Sequence, residues 1–333
     1  MPRFKYRDGV APNLAAIGYA TLGHLAALTL LFAPAWPANV VGIALTVHTL
    51  MIGTYLLHEA IHETIFATHA QNDTLGHVVA FLGGGGWAGY AELRKKHLHH
   101  HSDMMDPTTF DFRSFLDRAP HPVVRTIEAL EWLHVPAVEL LLRAEHALRP
   151  FGDGTRGADR PRMLMVAAAS LGWWSGLCLL SVRACLLYAV SYLLFVSGLR
   201  VFDAFHHTFD LVVVTDYDTA YVLPPGRDRF YEHANTFSNV IGRGRPRANL
   251  FVLNFAYHNA HHAKPGVPWY RLPDLDRTLY RGKSQQKRSI AAHLRDFHRY
   301  RLERVRRDAT DIPPAPDGRI VNIGAVAVSL LTL

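Results

Sequence analysis

The sequence predicts an all-α integral membrane protein with two transmembrane helical hairpins and a cytosolic helical cap. Hydrophobic residues make up 49% of the 333 residues and charged residues only 19%, a low charge content for a soluble protein of this length. A helix needs about 20 mostly apolar residues to cross a bilayer, and four stretches of the sequence approach that length. Three histidine clusters border these stretches, which predicts a polar functional region at one end of the spans.

The first predicted hairpin consists of spans over residues 14–34 and 40–57. Its two apolar runs are separated by the Pro-containing break "AWPAN" at residues 35–39. The second hairpin consists of spans over 163–181 and 184–202. Its apolar run is too long for one span, and Val182 and Arg183 mark the turn.

Two further segments lie between the hairpins. Residues 75–90 are apolar but contain four consecutive glycines, which favours an interfacial or re-entrant segment over a full span. Residues 123–151 place apolar residues at helical spacing among charges, a pattern typical of a helix on the membrane surface or against the cap. We assign one domain to residues 1–310 and a C-terminal tail to 311–333, whose apolar run is too short to span.

Charge predicts the orientation in the membrane. The net charge is +7, and the basic residues that four spans would place together are Lys5, Arg7, Arg94, Lys95, Lys96 and the stretch 281–307. Lys and Arg accumulate on the cytoplasmic side of membrane proteins, so the sequence predicts an active site facing the cytoplasm, at the inner membrane if the source is bacterial.

The two cysteines, Cys178 and Cys185, lie in apolar runs seven residues apart, about two helical turns. We expect both to be packing residues rather than a disulfide or part of a thiolate zinc site.

The histidine clusters have spacings that place imidazoles on one face of a helix. "HEAIH" carries His58 and His62 at i and i+4, and "HNAHH" carries His258, His261 and His262 at i, i+3 and i+4. The same template applied to "HLHHH" selects His97, His100 and His101. It directs His99 away from the shared face.

These eight imidazoles are too many for one tetrahedral zinc ion. They suit two metal ions with open positions, and neutral imidazole is a good ligand for iron.

The three motifs HxxxH, HxxHH and HxxHH, set around two hairpins, resemble those of the membrane-bound fatty acid desaturase and hydroxylase superfamily. The resemblance extends from about Tyr55 to Pro273 and includes "HHSDMMDP" and "NFAYHNAHHAKPGVPWYRLP". It implies a non-haem centre of two Fe ions, O2 as co-substrate, and oxidation of an unactivated C–H bond in a lipid chain. No catalytic residue is expected beyond the metal centre.

The same resemblance implies a ninth ligand near the end of the fourth span. "RVFDAFHH" offers His207 for this role, with Asp203 at i−4 as a water-mediated or supporting partner. His206, and His233 in "YEHANTFSN", are further candidates for groups that support the ligands.

The expected partners are a lipid or fatty-acyl substrate, the membrane and an external electron donor. The sequence contains no haem-binding segment, no iron–sulfur cysteine set and no dinucleotide fingerprint. Electrons must therefore come from a separate protein of ferredoxin or similar type, for which the basic face is a docking surface, or that face meets anionic lipid. We expect no nucleic-acid partner.

Acyl-chain desaturation is the favoured reaction, with hydroxylation, carotenoid ketolation and oxidative decarboxylation as alternatives. "PWYRLP" makes carotenoid oxygenation a specific alternative. Two remote alternatives are a membrane zinc protease, in which "HEAIH" is a literal H-E-x-x-H motif with Glu59 as general base, and a histidine-rich metal transporter. The transporter is disfavoured because His24, His48 and Arg200 are the few ionisable residues in the spans.

Overall fold

The computed structural model describes residues 3–209, 212–214, 225–242, 245–281 and 286–306. The predicted tail, 311–333, lies outside the described residues. The described helices and strands are, in chain order, α1 (Val10–Phe32), α2 (Trp36–Ile61), α3 (His69–Gly83), α4 (Tyr90–Asp103), β1 (Asp106–Thr108), α5 (Phe112–Arg118), α6 (His121–Trp132), α7 (Ala137–Gly152), α8 (Arg160–Leu180), α9 (Val182–Asp203), β2 (Val212–Val214), α10 (Arg229–Ala234), β3 (Ser238–Val240), α11 (His258–Ala263), α12 (Leu272–Tyr280), β4 (Lys287–Ser289), α13 (Ile290–Arg299) and α14 (Glu303–Arg306). Short 3-10 helices cover Gly154–Asp159, Pro246–Val252 and Trp269–Arg271.

The predicted all-α membrane fold is confirmed. Within the described residues, four helices are long and apolar enough to cross a membrane: α1, α2, α8 with the 3-10 turn before it, and α9. The strands are three residues long and pair in parallel, β1 with β2 and β3 with β4. They join loops of the cap, and the core is built from helices.

Helix α2 lies at the centre of the bundle. In its most apolar stretch 61% of the residues are buried, against 11% in that of α8, and α2 contacts α1, α3 and α9. Every residue from Leu50 to Ile61 is buried. A helix apolar on all faces suits an interior position, so α2 carries His58 into the interior of the protein.

The first hairpin turns at residues 33–35, earlier than the predicted break at 35–39. Pro37 lies in the first turn of α2, where a missing backbone N–H leaves no hydrogen bond unmade. The side-chain amide of Asn39 donates to the carbonyl of Leu30 at 2.9 Å. This contact satisfies the end of α1 and holds the two helices together.

The second hairpin turns at Ser181, whose hydroxyl accepts a hydrogen bond from the Ala184 N–H at 3.2 Å and caps α9. The turn brings the Cα atoms of Cys178 and Cys185 to 5.1 Å, and the two form a disulfide. The expectation that these cysteines are unpaired packing residues is therefore wrong. In one straight helix they would lie about 10 Å apart, but the chain reverses between them.

Both hairpin turns lie at the same end of the bundle. Arg183 of the second turn donates to the carbonyl of Pro34 in the first at 3.1 Å, and its guanidinium lies 4.6 Å from the centre of the Trp36 ring. Helix α2 has 26 residues, about 39 Å of length. The histidine motif at its C-terminus is therefore at the opposite end from the turns.

The segments between the hairpins are helical and broken. Residues 75–90 contain the end of α3 and a glycine turn, in which Gly84 and Gly89 have φ angles of 81° and 89°. The prediction for residues 123–151 needs correction, because the single predicted helix is two helices, α6 and α7. Pro136 separates them, since proline cannot continue a helical hydrogen-bond ladder.

Candidate metal centre

The histidine motifs occupy helix ends that meet in the cap. Helix α2 ends at Ile61, so His58 lies in its last turn and His62 follows it. Helix α4 carries the second motif and α11 the third, while His207 lies four residues beyond the end of α9. Four separate parts of the chain thus contribute imidazoles to one region.

Five histidines form the first histidine group: His58, His62, His97, His101 and His261. Their Nε2 atoms approach one another closely. His62 and His97 are 2.8 Å apart, and His101 lies 3.1 Å from His97 and 3.0 Å from His261. The His58 Nε2 lies 3.0 Å from that of His261.

Four histidines form the second histidine group: His100, His207, His258 and His262. The Nε2 of His207 lies 2.9 Å from that of His100 and 2.7 Å from that of His258. The second group adjoins the first, because the rings of His101 and His262 stack with their centres 4.1 Å apart. The nine histidines that the sequence proposes as ligands are the members of these two groups.

The spacing within each group fits metal ligation. Two nitrogens at adjacent positions on one metal ion, each about 2.1 Å from it, lie about 3 Å apart. Metal ligation also needs neutral imidazoles. Burial, and then the neighbouring histidines, lower the pKa of His97, His101 and His261 well below the ordinary value. Burial lowers the pKa of His258 and His262 in the same way, so these rings are neutral at pH 7 with a lone pair available.

Several ligand candidates are held by hydrogen bonds on the ring nitrogen that faces away from the group. The Nδ1–H of His100 donates to the Met105 carbonyl at 2.9 Å, which the left-handed Met104 (φ 52°) turns back toward it. Helix α4 therefore ends at Asp103. The Nδ1 of His207 lies 3.3 Å from the hydroxyl of Thr236. Such contacts fix the ring orientation of metal ligands.

Helix spacing also sets His99 apart from its neighbours. Its Nδ1 lies 2.8 Å from a carboxylate oxygen of Asp103, one turn later on the same helix. The ring is 36% exposed and belongs to neither histidine group. His233 is likewise exposed, with its ring against that of Tyr280.

His206 and Asp203 lie beside the groups without joining them. The His206 ring is buried and stacks on that of His258, with centres 4.3 Å apart. Asp203 ends α9 and borders a partly open space whose accessible surface is mostly apolar, and which we call the apolar cavity. Its lining residues are Leu93, Lys96, His97, His100, Pro107, Asp203, His206, His207, Phe255 and His258. The cavity thus reaches members of both histidine groups.

A family comparison agrees with this geometry. The sequence model of the fatty acid desaturase family matches residues 34–290, most of the chain, including all nine histidines. The chain belongs to the fatty acid desaturase family. No match was found among curated proteins. Membership of the desaturase family implies a membrane oxidoreductase that acts on fatty acyl chains.

Glu232 is the one carboxylate within reach of both histidine groups among the described residues, and sequence reasoning missed it. Its Oε1 lies 3.0 Å from Nδ1 of His262, and a ring nitrogen of His101 lies within 4.8 Å of both. His233 is the candidate that the sequence analysis selects from "YEHANTFSN". In the structure, it is Glu232 of α10 that lies against the histidine groups. Asp228 is the residue in the sequence that could have predicted this helix, because its carboxylate caps the N-terminus of α10.

The glutamate of the H-E-x-x-H match has a different position. A carboxylate oxygen of Glu59 accepts hydrogen bonds from the Thr64 hydroxyl and, at 3.1 Å, from the backbone N–H of Trp269. The other oxygen lies 3.4 Å from Nδ1 of His58. Glu59 therefore fastens the "PWYRLP" segment to the end of α2 and orients His58, which disfavours the role of a protease general base.

The division of the second motif generates a prediction. His97→Ala removes a nitrogen from the centre of the first group and should lower the metal content of the purified protein by at least half. His99→Ala changes a ring at the helix surface and should leave metal content unchanged. Inductively coupled plasma mass spectrometry measures both. Equal metal content in the two variants would contradict the assignment of His97.

Glu232 generates a second prediction. Glu232→Gln removes the charge that faces the Nδ1 of His262 and should lower metal affinity about 10- to 100-fold, measured by competition with a chelator. Glu92→Gln is the matched control, because Glu92 pairs only with Lys95 among the described residues, on the outer face of α4. If both variants bind metal like the parent protein, Glu232 does not support the ligands.

Proposed function

We propose that this chain is an O2-dependent fatty acyl desaturase with two iron ions, whose active site faces the cytoplasm. The observation that carries the proposal is the meeting of nine imidazoles in two adjoining groups, in a chain of the fatty acid desaturase family. A donor set of neutral nitrogens suits iron, and two groups suit two ions.

The bound iron ions supply the activation of dioxygen and the oxidation of an unactivated C–H bond. Desaturation removes two hydrogens from adjacent methylene carbons. With two electrons and two protons from outside, these hydrogens reduce one O2 to two waters. The proposed reaction does not require a carboxylate side chain to take a proton from the substrate carbon.

The protein contributes the position of the chain and the exclusion of water. In the apolar cavity, Leu93 and Phe255 offer apolar surface beside His97, His100 and His258. A methylene group held there lies next to both histidine groups. Phe255 packs its ring against that of His58 with centres 4.9 Å apart, which puts apolar surface directly beside the first histidine group.

The electron donor approaches from the other side. An opening beside Glu232, which we call the Glu232 opening, reaches one histidine of each group; its lining residues are His101, Met104, Arg229, Glu232, His233, Thr236, Asn259, His262, Ala263, Pro265 and Tyr280. Arg229 and Lys264 lie exposed at or near its rim. Such charges favour an acidic ferredoxin-type protein, and electrons delivered here have a short path to the metal.

Two observations support the cytoplasmic orientation. Arg94, Lys95 and Lys96 lie on α4 together with the second histidine motif, and Lys and Arg accumulate on the cytoplasmic side. The Cys178–Cys185 disulfide lies at the hairpin turns, and disulfides persist in oxidising compartments. Both observations support an orientation with the hairpin turns outside the cell and the metal centre in the cytoplasm.

Cysteine labelling tests this orientation. In the Cys178→Ser/Cys185→Ser chain, Ala35→Cys puts a thiol at a hairpin turn and Ser102→Cys puts one beside the second motif; both native side chains are exposed. A membrane-impermeant maleimide should label the first variant in intact cells and the second only after permeabilisation. The reverse labelling pattern would refute the proposed orientation and would not bear on the proposed desaturation reaction.

Lipid profiling tests the reaction. The chain is expressed in a bacterium with a compatible ferredoxin system, and acyl chains are analysed by mass spectrometry with and without O2. We expect an O2-dependent loss of two hydrogens, absent in His97→Ala and present in His99→Ala. Gain of one oxygen would establish a hydroxylase and loss of CO2 a decarboxylase. Purified protein with zinc and no iron would overturn the di-iron proposal.

"PWYRLP", the segment that made carotenoid oxygenation a specific alternative, has a packing role in the structure. Trp269 is buried, its backbone N–H donates to Glu59, and its indole N–H donates to Asn13 at 2.9 Å. These contacts tie the segment to α1 and α2.

A further inference from the structure

A second cavity lies between the glycine turn and helices α7, α8 and α9, and we call it the aromatic pocket. It has a volume of about 270 Å³, and its walls include Trp87, Arg143, Ser170, Trp173 and Tyr192. None of the nine histidines lines it. The aromatic pocket is therefore not part of the candidate metal centre.

Arg143 is the charged group of this pocket. Its side chain is only 8% exposed, and its Nη1 donates to the Gly83 carbonyl at 3.0 Å and to the Tyr192 hydroxyl. Its Nε and Nη2 atoms are buried and have no hydrogen-bond partner, and no ion pair to it occurs within the described residues. A buried charge with unmade hydrogen bonds is costly, so a ligand oxyanion that reached these two N–H groups would remove that cost.

An acidic side chain on the same helix does not satisfy them. Glu139 lies one turn earlier on α7, is fully buried, and makes no side-chain hydrogen bond among the described residues. Burial raises the pKa of the Glu139 carboxyl, against the opposing effect of Arg200, Arg143 and Lys96. Glu139 makes no hydrogen bond to the Nε and Nη2 atoms of Arg143.

The glycine turn is shaped around this arginine. Gly84 has a φ angle of 81°, and a Cβ atom there would overlap the Tyr192 hydroxyl and the Arg143 Nη1. Only glycine lets the two polar groups approach the turn this closely. The glycine run in the sequence thus has a local role that the metal centre does not explain.

The rest of the pocket suits an acyl chain. The rings of Trp173 and Trp174 pack against Tyr188, with centres 5.7 and 5.4 Å from it. Trp173 is 37% exposed on α8, the most weakly buried of the four candidate spans. An apolar chain can therefore enter from the lipid-facing side of this helix.

We propose that the aromatic pocket binds an anionic amphiphile, with its carboxylate or phosphate oxygens on the free N–H groups of Arg143 and its chain against the tryptophans. Arginine pairs with either oxyanion through parallel hydrogen bonds. A free fatty acid and an anionic phospholipid share this chemistry. Binding needs no metal, so the proposal stands or falls independently of the desaturase reaction.

The test measures lipid binding to the delipidated full-length protein in detergent by native mass spectrometry. The probes are palmitate, phosphatidylglycerol and the uncharged palmityl alcohol. Palmitate or phosphatidylglycerol should bind, and Arg143→Leu should weaken that binding about 10- to 100-fold, the effect of losing charged hydrogen bonds. Binding of the alcohol should not change. Whichever anionic probe binds more tightly identifies the source of the oxyanion.

A second pair of variants guards against misfolding of Arg143→Leu. Ser170→Trp fills the apolar part of the pocket and leaves Arg143 in place, so it should also weaken binding. Ala168→Trp adds the same side chain on the exposed face of α8 and should have no effect. The proposal is overturned if palmitate and the alcohol bind alike, or if Ser170→Trp binds the anionic probes like Ala168→Trp.

Discussion

The packing of nine imidazole rings at the end of the helical bundle, seven buried and two half-buried, is the constraint on which the rest of the structure depends. Charged histidines packed this closely would repel one another and lose their hydration, and burial accordingly lowers the pKa of most of those outside the spans. Neutral rings with inward-facing nitrogens remain, which is a donor set for metal. This requirement accounts for two features. The C-terminal half of α2 is fully buried, and several of the candidate ligands make hydrogen bonds through the ring nitrogens that face away from the groups.

The centre is open on two sides. The apolar cavity reaches His97, His100 and His258, whereas the Glu232 opening reaches His101, Glu232 and His262. Two separate approaches allow two different molecules to reach the histidine groups without competing for one entrance. The stacked rings of His101 and His262 lie where the two histidine groups meet.

Buried polar contacts connect the spans to the cap. Arg200 near the end of α9 pairs with Glu131 of α6 at 2.7 Å, and the other Glu131 oxygen accepts the backbone N–H of Val138. Removing one partner of a buried pair leaves an uncompensated charge, at a cost of about 3 to 5 kcal/mol. The pair thus fixes α6 and α7 against the membrane helices, and with them the wall of the aromatic pocket.

Local pattern was enough to predict the four spans, the helical faces of the three motifs and the separation of His99 from its neighbours, because span length and helical spacing are properties of consecutive residues. Contacts between distant segments needed the tertiary structure. It alone divided the histidines into groups of five and four, brought Glu232 to His262, joined Cys178 to Cys185 and set Arg143 against the glycine turn. Each of these depends on where the chain reverses and which helices then meet, and no periodicity within one segment encodes that.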